Sequence, residues 1–129
     1  MPTLEDDGFQ YAIWRVVPSV ERGEALNVGV VVYCRRRRFL KARVRIDADR
    51  LRALSPDLDI AAVQAHLDGM VRVADGDPAG GAIAALPQSE RFGWLTATSS
   101  TIVQPSPIHT GLCADPQAVL DRLFTRLVA

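Results

Sequence analysis

The chain has 129 residues, 48% of them apolar, with 15 basic and 15 acidic side chains and no net charge. That length suits one domain burying about two-thirds of its unfolded surface, and the balance excludes the polar, highly charged composition of a disordered chain. No stretch approaches the roughly 20 apolar residues of a membrane span, and no charged start leads into an apolar run, so a cytoplasmic protein without membrane attachment is expected.

Residues 1–8, with Glu5, Asp6 and Asp7 together, read as a frayed acidic leader to a single domain over 9–129. Tyr11 to Val17 is a strand ending at Pro18. Asn27 to Cys34 is β-branched on both parities, with Val28, Val30 and Val32 on one face and Val31 and Tyr33 on the other. Such a strand belongs inside a sheet with both faces covered. Phe39 to Ile46 alternates Leu40, Ala42, Val44 and Ile46 with Lys41, Arg43 and Arg45, the pattern of a strand with one dry and one wet face. An even-numbered Arg turn between these two strands pairs Tyr33 with Leu40 and Val31 with Ala42. The basic side chains then flank Val28, Val30 and Val32, with their stems over the valines and their charges in water.

Beyond the hairpin, Asp47 or Asp49 caps a short helix that stops at Ser55-Pro56. Asp57 or Asp59 caps a longer one whose apolar positions Ile60, Val63, Leu67, Met70, Val71 and Ala74 recur at helical spacing up to Asp75-Gly-Asp-Pro78. Ala79 to Leu86, with Gly80-Gly81, supports at most a short turn. Pro87 to Ser100 carries a polar segment, Gln88 to Arg91, and no assigned element. Thr98 to Gln104 and Ile108 to Cys113 are candidate short strands around Pro105-Ser-Pro107. Asp115-Pro116 opens a final helix with Leu120, Leu123, Phe124, Leu127 and Val128 on one stripe. The expected fold is α+β: an antiparallel sheet of three or more strands with helices packed on one face.

The loudest chemical feature is Arg35-Arg-Arg-Arg38, joined by Lys41, Arg43 and Arg45. Such a cluster at a hairpin tip keeps a sheet edge from pairing with other chains, or it forms a phosphate-binding face. The basic residues are fourteen Arg and one Lys, a ratio that with the many Ala fits a GC-rich bacterial genome and weakens any inference from Arg abundance. With no recognition helix and no aromatic ladder, weak and non-specific nucleic-acid binding is the most to expect. His66, His109, Cys34 and Cys113 lack metal-site spacing, so no metal and no cofactor are expected. The two cysteines read as reduced thiols. His109 and Cys113, four apart on a strand, stand about 13 Å from each other, too far for a thiol and its base.

A second candidate is the corner of Arg15, Arg22, Glu24 and Asn27. Gly23 permits a turn of positive φ, Asn27 can satisfy turn amides, and Arg22 with Glu24 can fix strand register as an ion pair. The same guanidinium groups could instead grip a carboxylate or phosphate, with Pro105-Ser-Pro107 bringing His109 and Thr110 to that end of the sheet.

Tyr11 to Pro18, Arg22-Gly-Glu-x-x-Asn27-Val-Gly-Val-Val-Val-Tyr-Cys34, Phe39-Leu-x-Ala-Arg-Val44 and Gln104-Pro-Ser-Pro-Ile-His-Thr-Gly-Leu-Cys113 together resemble the bacterial domain-of-unknown-function family 3037 over almost the whole chain. The resemblance carries no established activity; it implies an accessory module with a protein partner, a HipA-like kinase being the candidate. Two functions follow: a module that binds a protein partner, or a small enzyme or ligand-binder that uses Arg15, Arg22, Glu24 and His109 on a phosphorylated or nucleotide-like substrate.

Overall fold

The structure, a computed structural model, describes residues 6–97 and 102–129. Strands β1 (Asp7–Val16), β2 (Leu26–Cys34) and β3 (Phe39–Val44) precede helices α1 (Ala48–Leu54), α2 (Ile60–Asp75) and α3 (Gln88–Leu95). Strands β4 (Val103–Pro105) and β5 (His109–Cys113) and helix α4 (Pro116–Leu127) complete the chain. All strand pairs are antiparallel. The order is β3-β2-β1, with β4 and β5 sharing the outer edge of β1. The fold is α+β.

The hairpin register is the expected one: Tyr33 faces Leu40 and Val31 faces Ala42. β2 is an interior strand, and Val28, Val30, Val31 and Val32 are all fully buried. The face assignment within β2 differs. Trp14 stands opposite Gly29 but Arg15 opposite Asn27, so Val28 is an extra residue on β2, a β-bulge. The bulge turns Val28 toward the core of Leu26, Trp14 and Val31, while Val30 and Val32 stay on the opposite face.

Helices cover both faces, not one. α1, α2 and α3 pack over Ala12, Trp14, Val31, Tyr33 and Leu40. α4 crosses to the other side and lays Val119, Leu120, Leu123 and Phe124 on Val30, Val32 and Cys34. The two-faced apolar pattern of β2 demands this, since one layer of helices would leave Val30 and Val32 wet. Basic stems therefore do not lid these valines; α4 does, and Arg43 lies on top of it with its guanidinium carbon 4.1 Å from the Phe124 ring centre.

The helix starts follow the expected caps: Asp47, Asp59 and Asp115 each accept a backbone N–H of their first turn. Residues 78–80 and 82–85 form two 3-10 turns. The segment left without an element contains α3, which buries Phe92, Leu95 and the charged Arg91. Its start after Pro87 lacks a side-chain cap, and a buried arginine reads as a surface residue in sequence.

The leader expectation is corrected at its end. Asp7 and Gly8 belong to β1, paired with Cys113 and Leu112, and Asp7 takes ion pairs from Arg36 and Arg37. Residues 1–5 and the expected strand start at 98–101 lie outside the described residues.

Candidate functional site

Two places gather the residues singled out in sequence: the turn and outer strand of the β2–β3 hairpin, and the β1–β2 corner.

The corner is open. Gly23 adopts φ 71°, as the turn requires, and its N–H donates to the Ser19 carbonyl at 3.1 Å. Arg22 Nε donates to Glu24 Oε1, with 74% and 46% of the two side chains exposed. Asn27 does not serve the turn. Its Nδ2 donates to the Leu127 carbonyl at 3.1 Å, which fastens β2 to the last turn of α4. Arg15 lies beside Asn27 in register and donates from Nη2 to the Pro105 carbonyl at 3.4 Å, while its Nε is buried without a partner.

His109 is not brought to this end. β5 runs along the first half of β1 and sets His109 opposite Tyr11, whose ring it stacks on at 5.1 Å. Arg15 is opposite Gln104, four residues and therefore about 13 Å farther along β1. The rigid segment works differently from the expectation. Ser106 takes the place of a ladder residue: its N–H donates to the Ile13 carbonyl at 2.7 Å, and its Oγ accepts the Ile13 N–H at 2.9 Å. Flanking prolines have no N–H to leave unpaired, so β4 passes into β5 without stripping β1 of its hydrogen bonds. The structure thus divides the corner set into Arg22 with Glu24, Arg15 beside Asn27, and His109 on Tyr11. Because the Arg22–Glu24 pair is exposed and screened, Arg22→Ala should move the melting temperature by no more than about 4 °C, measured by circular dichroism on the purified chain.

Cys34 and Cys113 do meet, though 79 residues separate them in sequence. Both are buried and free, and they belong to the same core cluster. Burial, followed by the neighbouring Cys34, pushes the Cys113 thiol up, which makes it a poor nucleophile. β2 and β5 lie on opposite sides of β1, two strand spacings or about 9–10 Å apart, beyond the reach of an unstrained disulfide. The pair is core packing. No group of three or more potential metal ligands occurs among the described residues, and no helix among them is long and apolar enough to cross a membrane.

The hairpin holds the basic residues at the surface. Arg35, Arg36, Arg37 and Arg38 form the exposed turn, and Lys41, Arg43 and Arg45 are exposed on the outer strand and just beyond it. Asp7 engages Arg36 and Arg37, and Asp121 engages Arg43 at 3.1 Å. Arg35, Arg38, Lys41 and Arg45 have no ion-pair partner among the described residues. The hairpin aromatics are spent on packing: Tyr33 is buried against Phe92 at 5.1 Å, and Phe39 packs on the α4 core. No base-stacking platform remains on this hairpin. Four cations free to meet phosphates allow a salt slope no steeper than about −4. We therefore expect gel-shift titrations to show weak binding, equal for unrelated sequences, that falls by up to about a hundredfold between 50 and 200 mM salt. A sequence-selective shift that survives the higher salt would contradict this.

Sequence reasoning missed Arg91 and Ser106 as organising residues. Pro105-Ser-Pro107 was the available signal for the second, since a polar residue between two prolines is placed to replace a ladder bond.

A family model described as "Protein of unknown function (DUF3037)" matches residues 11–128. Neither a curated protein nor a solved structure matches the chain.

Proposed function

Since the chain belongs to the DUF3037 family, whose description carries no activity, we propose from its geometry that it is a bacterial cytoplasmic module that binds a protein partner through the β2–β3 hairpin. One observation carries this reading. The hairpin concentrates seven cations, four of them without an ion-pair partner among the described residues, beside an interior strand buried from Val28 to Cys34. A chain with no net charge that collects so much of one sign in one place is built to meet a surface of the opposite sign. The ligand-binder reading has less support, because its four residues are spread over an exposed turn, the end of β1 and the start of β5. A HipA-like kinase is the partner suggested by the resemblance in sequence.

The test is capture from the native host with the wild-type chain and with a variant in which Arg35, Arg36, Arg37 and Arg38 are all Ser. A protein held by the wild type and lost from the variant supports the reading. Equal capture by both, with equal melting temperatures, counts against it.

A further inference from the structure

We infer that the outer edge of β3 accepts an extended segment of the partner as an added strand, and that this segment alternates acidic with apolar side chains. The inference rests on the binding-module reading and adds the class of partner.

β3 ends the sheet and pairs on one side only, with β2. Arg45 N–H donates to the Val28 carbonyl at 2.8 Å, and Arg43 and Lys41 stand opposite Val30 and Val32. In an antiparallel ladder the backbone groups of alternate residues point the same way. Residues 41, 43 and 45 therefore bond inward to β2, and Leu40, Ala42 and Val44 turn their N–H and C=O outward. No hydrogen bond from these outward groups occurs among the described residues.

That edge is also grooved. A cavity of ≈ 380 Å³ lies between Ala42–Val44 and the Asp68, Val71 and Arg72 side chains of α2. A second, of ≈ 300 Å³, continues it past Leu40 and Lys41 to Asp75 and Gln88. An edge strand beside a helix wall is the geometry in which an added strand gains both ladder bonds and side-chain pockets.

Charge selects the occupant. An added strand sends alternate side chains to the two faces of the sheet. On one face they meet Lys41 and Arg45, without ion-pair partners among the described residues, and Arg43, engaged by Asp121; this excess of cations calls for Asp or Glu. On the other they meet the apolar Ala42, Val44 and Val71, flanked by Asp68, Arg72 and Asp75 of α2, a strip that favours small apolar groups. A second copy of the chain is a poor occupant, because β3 against β3 sets the same cations across from one another.

The probe is a fluorescein-labelled peptide about ten residues long alternating Glu and Val, with a control of the same composition in which all Glu precede all Val. Anisotropy with the full chain should show saturable binding of the first, with the control weaker by about fivefold or more. Ala42→Pro removes an outward N–H and leaves the β2 ladder intact, since proline is tolerated on an edge; it should weaken binding by about five- to tenfold. Lys41→Glu, at an exposed position without an ion-pair partner among the described residues, should do the same by charge reversal, with an unchanged melting temperature. Amide exchange should slow at Leu40, Ala42 and Val44. Absence of binding, equal binding of the control, or protection on β5 instead of β3 overturns the inference. So does a dimer of the free chain that protects these same amides. A captured partner lost on replacing Arg35 to Arg38 but retained by Ala42→Pro overturns strand addition and leaves the hairpin reading standing.

Discussion

Trp14→Ala should be the most damaging single substitution in the sheet, costing about 3–5 kcal/mol and lowering the melting temperature by roughly 10–20 °C. Trp14 has no exposed surface. Its six-membered ring crosses β2 at Gly29, where an added Cβ would come within 2.9 Å of Cε3. Its Nε1 donates to the Leu95 carbonyl at 3.0 Å, one of the carbonyls that the end of α3 leaves without a helical partner. Truncation thus opens a cavity at the centre of the larger core and unties α3 from the sheet. Trp14→Phe restores most of the volume but not the donor, and should recover more than half of the loss. Thermal melts followed by far-ultraviolet circular dichroism separate the two; a Trp14→Ala protein that melts within about 3 °C of wild type would refute this account of the core.

Arg91→Ala comes next, with an expected cost of about 2–4 kcal/mol. Arg91 is the charged residue buried among the helices. Nε donates to the Leu86 carbonyl at 2.9 Å, and Nη1 donates to the carbonyls of Val73 and Ala74 at 3.0 and 2.9 Å. The last two belong to the final turn of α2, where the aligned peptide dipoles favour a cation. One guanidinium group therefore closes α2, holds the segment before α3 and joins the two helices. Removal takes a donor from three carbonyls, of which that of Val73 keeps the Gly76 N–H at 3.1 Å and that of Ala74 is left buried. Arg91→Lys keeps the charge but lacks the planar fork that reaches three acceptors, so it should remain at least about 1 kcal/mol below wild type. Urea melts of the three proteins measure this, and equal midpoints for Lys and Arg would show that charge alone suffices.

The hairpin was legible because its signals are local. β-Branched residues on both parities of Asn27 to Cys34 require two cover layers, and a four-residue turn fixes the Tyr33–Leu40 register. Aspartate caps marked three helix starts for the same reason. What escaped depends on partners far along the chain. Val28 changes face because Trp14 and Asn27 set the register on either side of it, and no run of residues shows a bulge on its own. The stripe of α4 states that it is buried but not on which face; the antiparallel passage of β5 along β1 decides that. α3 was hidden because Arg91 looks like a solvent residue until α2 offers its carbonyl end.

The candidate site divides in the same way. The seven hairpin cations were visible as a cluster, and they remain one. Arg15, Arg22, Glu24, Asn27 and His109 were linked by motif order, and the β1 ladder spaces them apart: Asn27 is used on Leu127, His109 on Tyr11.

Hydrogen exchange of the full chain with and without its captured partner tests the hairpin claim most directly. Slowed exchange confined to residues 35–45 is the predicted result. Slowing at 15–27 and 109, with the hairpin unchanged, would contradict it and move the function to the β1–β2 corner.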